Sequence, residues 1–226
     1  PEAEGWAPDG IRRQVGEVPP PPRGVPFAEA IRTRFFIATT AGFLLAFGAQ
    51  VGGIQQLVKL VEDRTDERTA QLAVTTIAGT SVIARLIGGR VAQRVAMMRL
   101  TVVLVVAQSA ALLVIGLAGS TWLLFAAIVC FGATVGNILM LQPLLMAERF
   151  GVRDYPRIFS RTQLIAITGT AGGPLLLGAL YDAAGSYRVP YAVAAACSLA
   201  GAVVLAAGGP ATVVADGADG ADRHRS

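Results

Sequence analysis

Polar and apolar positions fall into long blocks along this chain rather than alternating, and the blocks set the architecture. Residues 1 to about 30 are polar and broken by proline, with Pro8-Asp9-Gly10 and the run Pro19-Pro20-Pro21-Pro22. Such a stretch buries too little apolar surface to fold alone and reads as a linker. Phe27 to Arg34 follows as a short amphipathic lead-in, with Glu29, Arg32 and Arg34 on its wetter side. Six apolar runs then occupy about 35–58, 70–91, 100–118, 122–146, 159–180 and 190–208. At ~1.5 Å per residue the first run reaches ~36 Å, more than the ~30 Å of a bilayer's hydrocarbon core, and all six are long enough to cross. The pattern predicts a linker and lead-in over 1–34, a six-helix transmembrane bundle over 35–208 and a disordered tail over 209–226.

Composition agrees. Hydrophobic residues make up 54% of the 226 and charged residues 15%, where a soluble domain carries about a quarter charged. The class is therefore an all-α integral membrane protein with the bilayer as solvent. The net charge of +4 does not indicate nucleic acid, because the basic residues are spread over short loops rather than gathered on one face with aromatics between them. They act instead as orientation signals. Arg12, Arg13, Arg23, Arg32 and Arg34 precede the first run, Arg90, Arg94 and Arg99 lie between the second and third, and Arg149, Arg153, Arg157 and Arg161 between the fourth and fifth. The alternate loops are poorer in net positive charge, so both termini are expected in the cytoplasm of a multi-pass inner (plasma) membrane protein. The chain does not begin with methionine, and a linker running straight into spanning helices is what the later part of a longer membrane protein would show.

Little in the sequence suggests an enzyme. Cys130 and Cys197 sit in apolar runs with no His, Asp or Glu cluster beside them, and His224, the only histidine, lies in the tail. Neither a metal nor another cofactor is expected. There is no His-Glu-x-x-His, no Ser/His pair and no acid pair inside a span.

Glycines four apart, at Gly48 and Gly52, Gly132 and Gly136, and Gly169 and Gly173, mark places where helices can approach closely in lipid. Gly172-Gly173-Pro174 would loosen one turn of the fifth span at mid-membrane, as either a cavity-lining break or a plain kink. The one deep charge is Arg85. It lies nine residues before the surface residue Arg94, ~13 Å along the helix, deeper than snorkelling covers. A charge there is either a structural donor to carbonyls or a planar, two-pronged partner for an anion. Asn137 in the fourth span and Gln50 in the first lie similarly deep, and either interhelical bonding or contact with a solute suits them.

Ser81 to Arg94 carries Arg85-x-x-x-Gly89-x-x-Ala92-Gln93-Arg94, which resembles the G-R-x-x-x-G-x-L-x-D-R signature of major facilitator superfamily transporters, in particular those related to monocarboxylate transporters and oxalate:formate antiporters. The opening Pro1-Glu2-x-x-Gly5-x-x-Pro8-Asp9-Gly10 resembles the central cytoplasmic linker of that group. So do Ala147 to Gly151 and Gly178 to Tyr187 the corresponding loops. The resemblance implies the C-terminal half of a twelve-helix fold, its partner being an N-terminal six-helix half. It implies secondary transport of a small organic solute, a monocarboxylate-like anion, by alternating access, coupled to protons or to a counter-substrate. It places substrate contact at Arg85, Asn137 and Gln50, and gating at Gly89, Gln93, Arg94, Gly173 and Pro174. Two departures matter. Gln93 stands where the family has an acid, and the fifth span has no lysine to serve as a second cation, which favours a monoanion over a dicarboxylate. No Asp or Glu lies deep in a span, so a proton-carrying carboxylate would come from the other half or from the substrate. The alternatives are an exporter of apolar or drug-like compounds, with Arg85 structural, and a non-transporting sensor or scaffold.

Overall fold

The computed structural model describes residues 24–209; the expected linker before residue 24 and the tail beyond 209 lie outside the described residues. A four-residue helix, α1 (Phe27–Ala30), leads into six long ones: α2 (Arg34–Arg64), α3 (Glu67–Ala92), α4 (Met97–Leu117), α5 (Thr121–Phe150), α6 (Tyr155–Ala184) and α7 (Arg188–Ala207). All six are long and apolar enough to cross a membrane. Several run well past the apolar blocks, because hydrophobicity locates the hydrocarbon layer whereas polar caps decide where a helix stops. The Thr33 side chain accepts the Phe36 amide at 3.1 Å to open α2, and Asp66 accepts that of Thr69 at 3.0 Å to open α3. Gly151 and Gly185, at φ 70° and 61°, stop α5 and α6 in the left-handed region that favours glycine.

The helices pack as an arc in the order α6, α2, α7, α4, α5, α3, closed more weakly between α2 and α3 and between α5 and α6. Its end members are the barest. Over their most apolar windows α3 and α6 are 22% and 17% buried, against 61% for α2 and 56% for α5. Two apolar clusters fill the interior. One gathers Phe35, Phe43, Phe47, Phe150 and Ile158 near the face where α2 begins, and the other Leu57, Leu112, Phe131 and Tyr191 near the opposite face. A polar layer ties α2, α4 and α7 in the interior. Gln108 Nε2 donates to the Ala46 carbonyl at 3.0 Å and to Ser198 Oγ at 3.1 Å, Ser198 Oγ donates to the Val105 carbonyl at 3.1 Å, and Ser109 Oγ to that of Ala195 at 2.7 Å. Away from water each such donor needs a partner, and backbone carbonyls supply it.

The glycine pairs form two seams. Along α2–α6, a Cβ on Gly48 would sit 3.1 Å from the Gly169 carbonyl oxygen, one on Gly52 would sit 2.9 Å from that of Gly173, and one on Gly173 would run into the backbone of Gly48. Along α3–α5, Gly132 lies against Ile77 and Thr80, and Gly136 against Ser81. Pro174 does not break α6, which is helical from Tyr155 to Ala184, and in that turn Gly173 packs closely on Gly48.

Candidate functional site

Arg85 follows Ala84 on α3, and Asn137 follows Gly136 on α5. Between these two dipeptides the bonding is reciprocal: Arg85 Nε donates to the Gly136 carbonyl at 3.0 Å, and Asn137 Nδ2 donates to the Ala84 carbonyl at 3.1 Å and to its own helix at Ala133 at 2.9 Å. Gly136 and Gly88 make the approach possible, since a Cβ on either would meet Ser81 or Asn137. Helices two spans apart in an up-and-down bundle run parallel. Asn137 lies within the seam, its amide against Gly88 of α3. Arg85 is exposed, while Asn137 is 6% exposed with its Oδ1 unpartnered among the described residues.

Among the described residues Arg85 bonds through Nε alone, leaving both terminal nitrogens of the guanidinium without a protein acceptor. That edge is the one that grips a carboxylate with two parallel bonds. Arg90, one turn and a half nearer the helix end, instead turns back to its own helix at the Leu86 carbonyl, 3.2 Å away.

Gln50 lies elsewhere. It is 2% exposed, and its place one turn from Ala46 and three residues from Gly53, which accepts the Tyr191 hydroxyl at 2.8 Å, puts it on the α2 face turned to α4 and α7. The structure thus brings Arg85 and Asn137 to one seam and leaves Gln50 in the interior layer. Gly89 has open space where a Cβ would stand, Gln93 caps the end of α3, and Gln93 and Arg94 are exposed in the α3–α4 turn. Gly173 is buried against Gly48, with Pro174 half-buried beside it.

Some contacts had no signal in the sequence. Arg64, one of several charges in the α2–α3 turn, donates to the last carbonyls of α4, those of Ile115 at 3.0 Å, Gly116 at 2.9 Å and Ala118 at 3.2 Å. A guanidinium at a helix C-terminus offsets both the orphan acceptors and the dipole. In the same turn, the Thr69 amide bonded to Asp66 holds its carboxyl below the ordinary range. Burial, then the charge of Asp63, raises the phenol of Tyr187, which stacks on Tyr181 with ring centres 4.3 Å apart. An apolar cavity of about 260 Å³ opens between α2, α6 and α7, lined by Leu44, Leu45, Leu176, Cys197 and the seam glycines. No group of three or more potential metal ligands occurs among the described residues.

Two solved structures share this arrangement. The E. coli fucose:proton symporter FucP matches with a TM-score of 0.70 and 16% identity over 80% of this chain and 44% of its own. A peptide transporter, POT, solved in complex with sulfate, matches with a TM-score of 0.66 and 21% identity over 83% of this chain and 39% of its own. At these identities the likeness shows the fold, and the chain spans less than half the length of either. No curated protein sequence matches it. The six-helix arc fits one half of the fold these structures share, and residues 33–222 match the family model of the Major Facilitator Superfamily, to which this chain belongs.

Proposed function

We propose that this bundle is the C-terminal half of a secondary transporter that carries a small organic anion, a monocarboxylate-like solute, by rocking against an N-terminal six-helix half. The observation that carries the reading is Arg85, a guanidinium exposed on the least packed side of α3 with its bidentate edge free of protein acceptors among the described residues. Holding a charge at that depth costs about 2.5–3.5 kcal/mol on insertion scales, and one neutral carbonyl offsets only part of it. An anion held on the free edge offsets the rest while it is bound. Both termini lie in the cytoplasm of the plasma membrane in this reading, and coupling to protons or a counter-substrate draws on groups outside the described spans.

The test is uptake of labelled monocarboxylates by proteoliposomes holding the full-length protein. Arg85→Ala lowers uptake by about two orders of magnitude while its unfolding temperature stays near that of the parent; undiminished uptake in the variant would sink the assignment. The coding sequence upstream of Pro1 is expected to encode six further spans.

A second reading has one observation of its own. The cavity against Leu44, Leu176 and Cys197 is wholly apolar, which suits an apolar compound with Arg85 a structural clasp. Uptake or efflux of an uncharged lipophilic dye that survives Arg85→Ala and fails in Leu176→Trp would favour it.

A further inference from the structure

The segment ahead of α2 is fastened at both ends of its length. Gly24 pairs with Gly151 as an isolated antiparallel bridge, and the Val25 amide donates to the Phe150 carbonyl at 2.9 Å. The Phe27 amide, the first orphan donor of α1, donates to Asp154 Oδ2 at 2.9 Å across 127 residues of sequence. The Arg157 guanidinium lies 5.0 Å from the centre of the Phe27 ring, within cation–π range, and Ala30 is fully buried beneath the segment. Past the segment, Phe35 meets Phe150 edge-on with ring centres 5.8 Å apart.

Asp154 stands at the N-cap of α6, where a carboxylate ordinarily bonds its own helix. Here its side chain makes no such bond. Only its backbone carbonyl serves α6, accepting the amides of Arg157 at 3.0 Å and Ile158 at 3.1 Å. The carboxylate is given to the other segment, in a charge-assisted bond of the stronger kind. The two glycines allow the contact: a Cβ on Gly24, at φ 155°, would stand 2.6 Å from the Phe150 carbonyl oxygen, and Gly151 holds φ 70°.

We propose that residues 24–33 form a brace that fastens the entry of α2 to the α5–α6 turn, and that brace and turn open and close as one unit. Chain preceding Gly24 then pulls on the α5–α6 corner and not on the start of α2. In a bundle that rocks, any tether to another domain would act there, and α2, α5 and α6 would move together at this face. The inference stands on these contacts alone and holds whatever the solute.

Hydrogen exchange of the chain in nanodiscs, read by mass spectrometry, tests it. In the parent protein, peptides covering 24–33 are protected although they lie outside the spans. Asp154→Ala raises exchange there roughly tenfold or more and raises it in 150–154 to match, while peptides over Gln108 are unchanged. Gly24→Ala, which attacks the contact from the other side and leaves the α6 cap alone, gives the same pattern and decides the matter if Asp154→Ala impairs folding. Free-chain exchange of 24–33 in the parent, unaltered protection in both variants, or a loosened segment beside an unmoved turn would each overturn the proposal.

Discussion

The α2–α6 and α3–α5 seams are built alike and carry different chemistry. Each joins two parallel helices two or more spans apart in sequence, and each uses glycines four apart to bring backbones together. The α2–α6 seam is bare of polar side chains at its glycines: Gly48, Gly52, Gly169 and Gly173 meet carbonyls and leucines. The α3–α5 seam adds the exchange between Ala84-Arg85 and Gly136-Asn137. Thr40 Oγ1 also donates to Thr162 Oγ1 at 3.4 Å between α2 and α6, so the first seam pairs glycine contact with one neutral hydrogen bond beyond its glycines. The second alone places a charge in the contact.

Four measurements break or sharpen that contrast. The largest effect is expected at the bare seam: Gly173→Leu drives a side chain into the backbone of Gly48, where nothing flexible can give, and destabilises the bundle by ~3 kcal/mol or more, read as loss of the monodisperse folded species in detergent. Next, Arg85→Ala lowers anion uptake by about two orders of magnitude, as loss of a charge-assisted bidentate contact does. Its unfolding temperature changes little; a large drop would assign the residue to packing after all. Asn137→Ala removes the other arm of the exchange and lowers stability by about 1 kcal/mol, read by thermal unfolding. The smallest effect lies outside both seams. The carboxyl of Asp66 is held low by the Thr69 amide, so its contribution to stability is complete above the ordinary carboxylate range and is lost as pH falls through the lowered value. A thermal-unfolding series at acid pH should show that loss in the parent and not in Asp66→Ala, if the bundle itself survives the range.

What could be read from the chain was what the bilayer imposes. Spans long enough to cross must be unbroken apolar runs, so six helices and their order were legible, and the glycine spacing marked both seams before any partner was known. The depth of Arg85 followed from counting back from Arg94. Depth, however, carries no azimuth. Asn137 and Gln50 count as deep as Arg85, yet one packs against Gly88 inside the α3–α5 seam and the other faces the α4–α7 layer, and only the packing of neighbouring helices decides that. Gly172-Gly173-Pro174 shows the same limit, since its local chemistry allows a break or a kink and the chain alone does not reveal that Gly173 packs on Gly48 within a continuous helix. Arg64 and Asp154 were illegible for a different reason: each serves a helix end more than fifty residues away.

The two seams also differ in when they can close. If spans enter the bilayer in order, α2 must wait for α3, α4 and α5 before α6 arrives, and throughout that interval its glycine face meets only lipid. The neutral hydroxyl of Thr40, which donates to Thr162 on α6, is the side-chain donor that waits there. α3 waits for α4 alone before α5 arrives with the Gly136 carbonyl. During synthesis the helix with the deep arginine is thus the one left incomplete for the shorter time, and the bare seam falls to the pair separated longest.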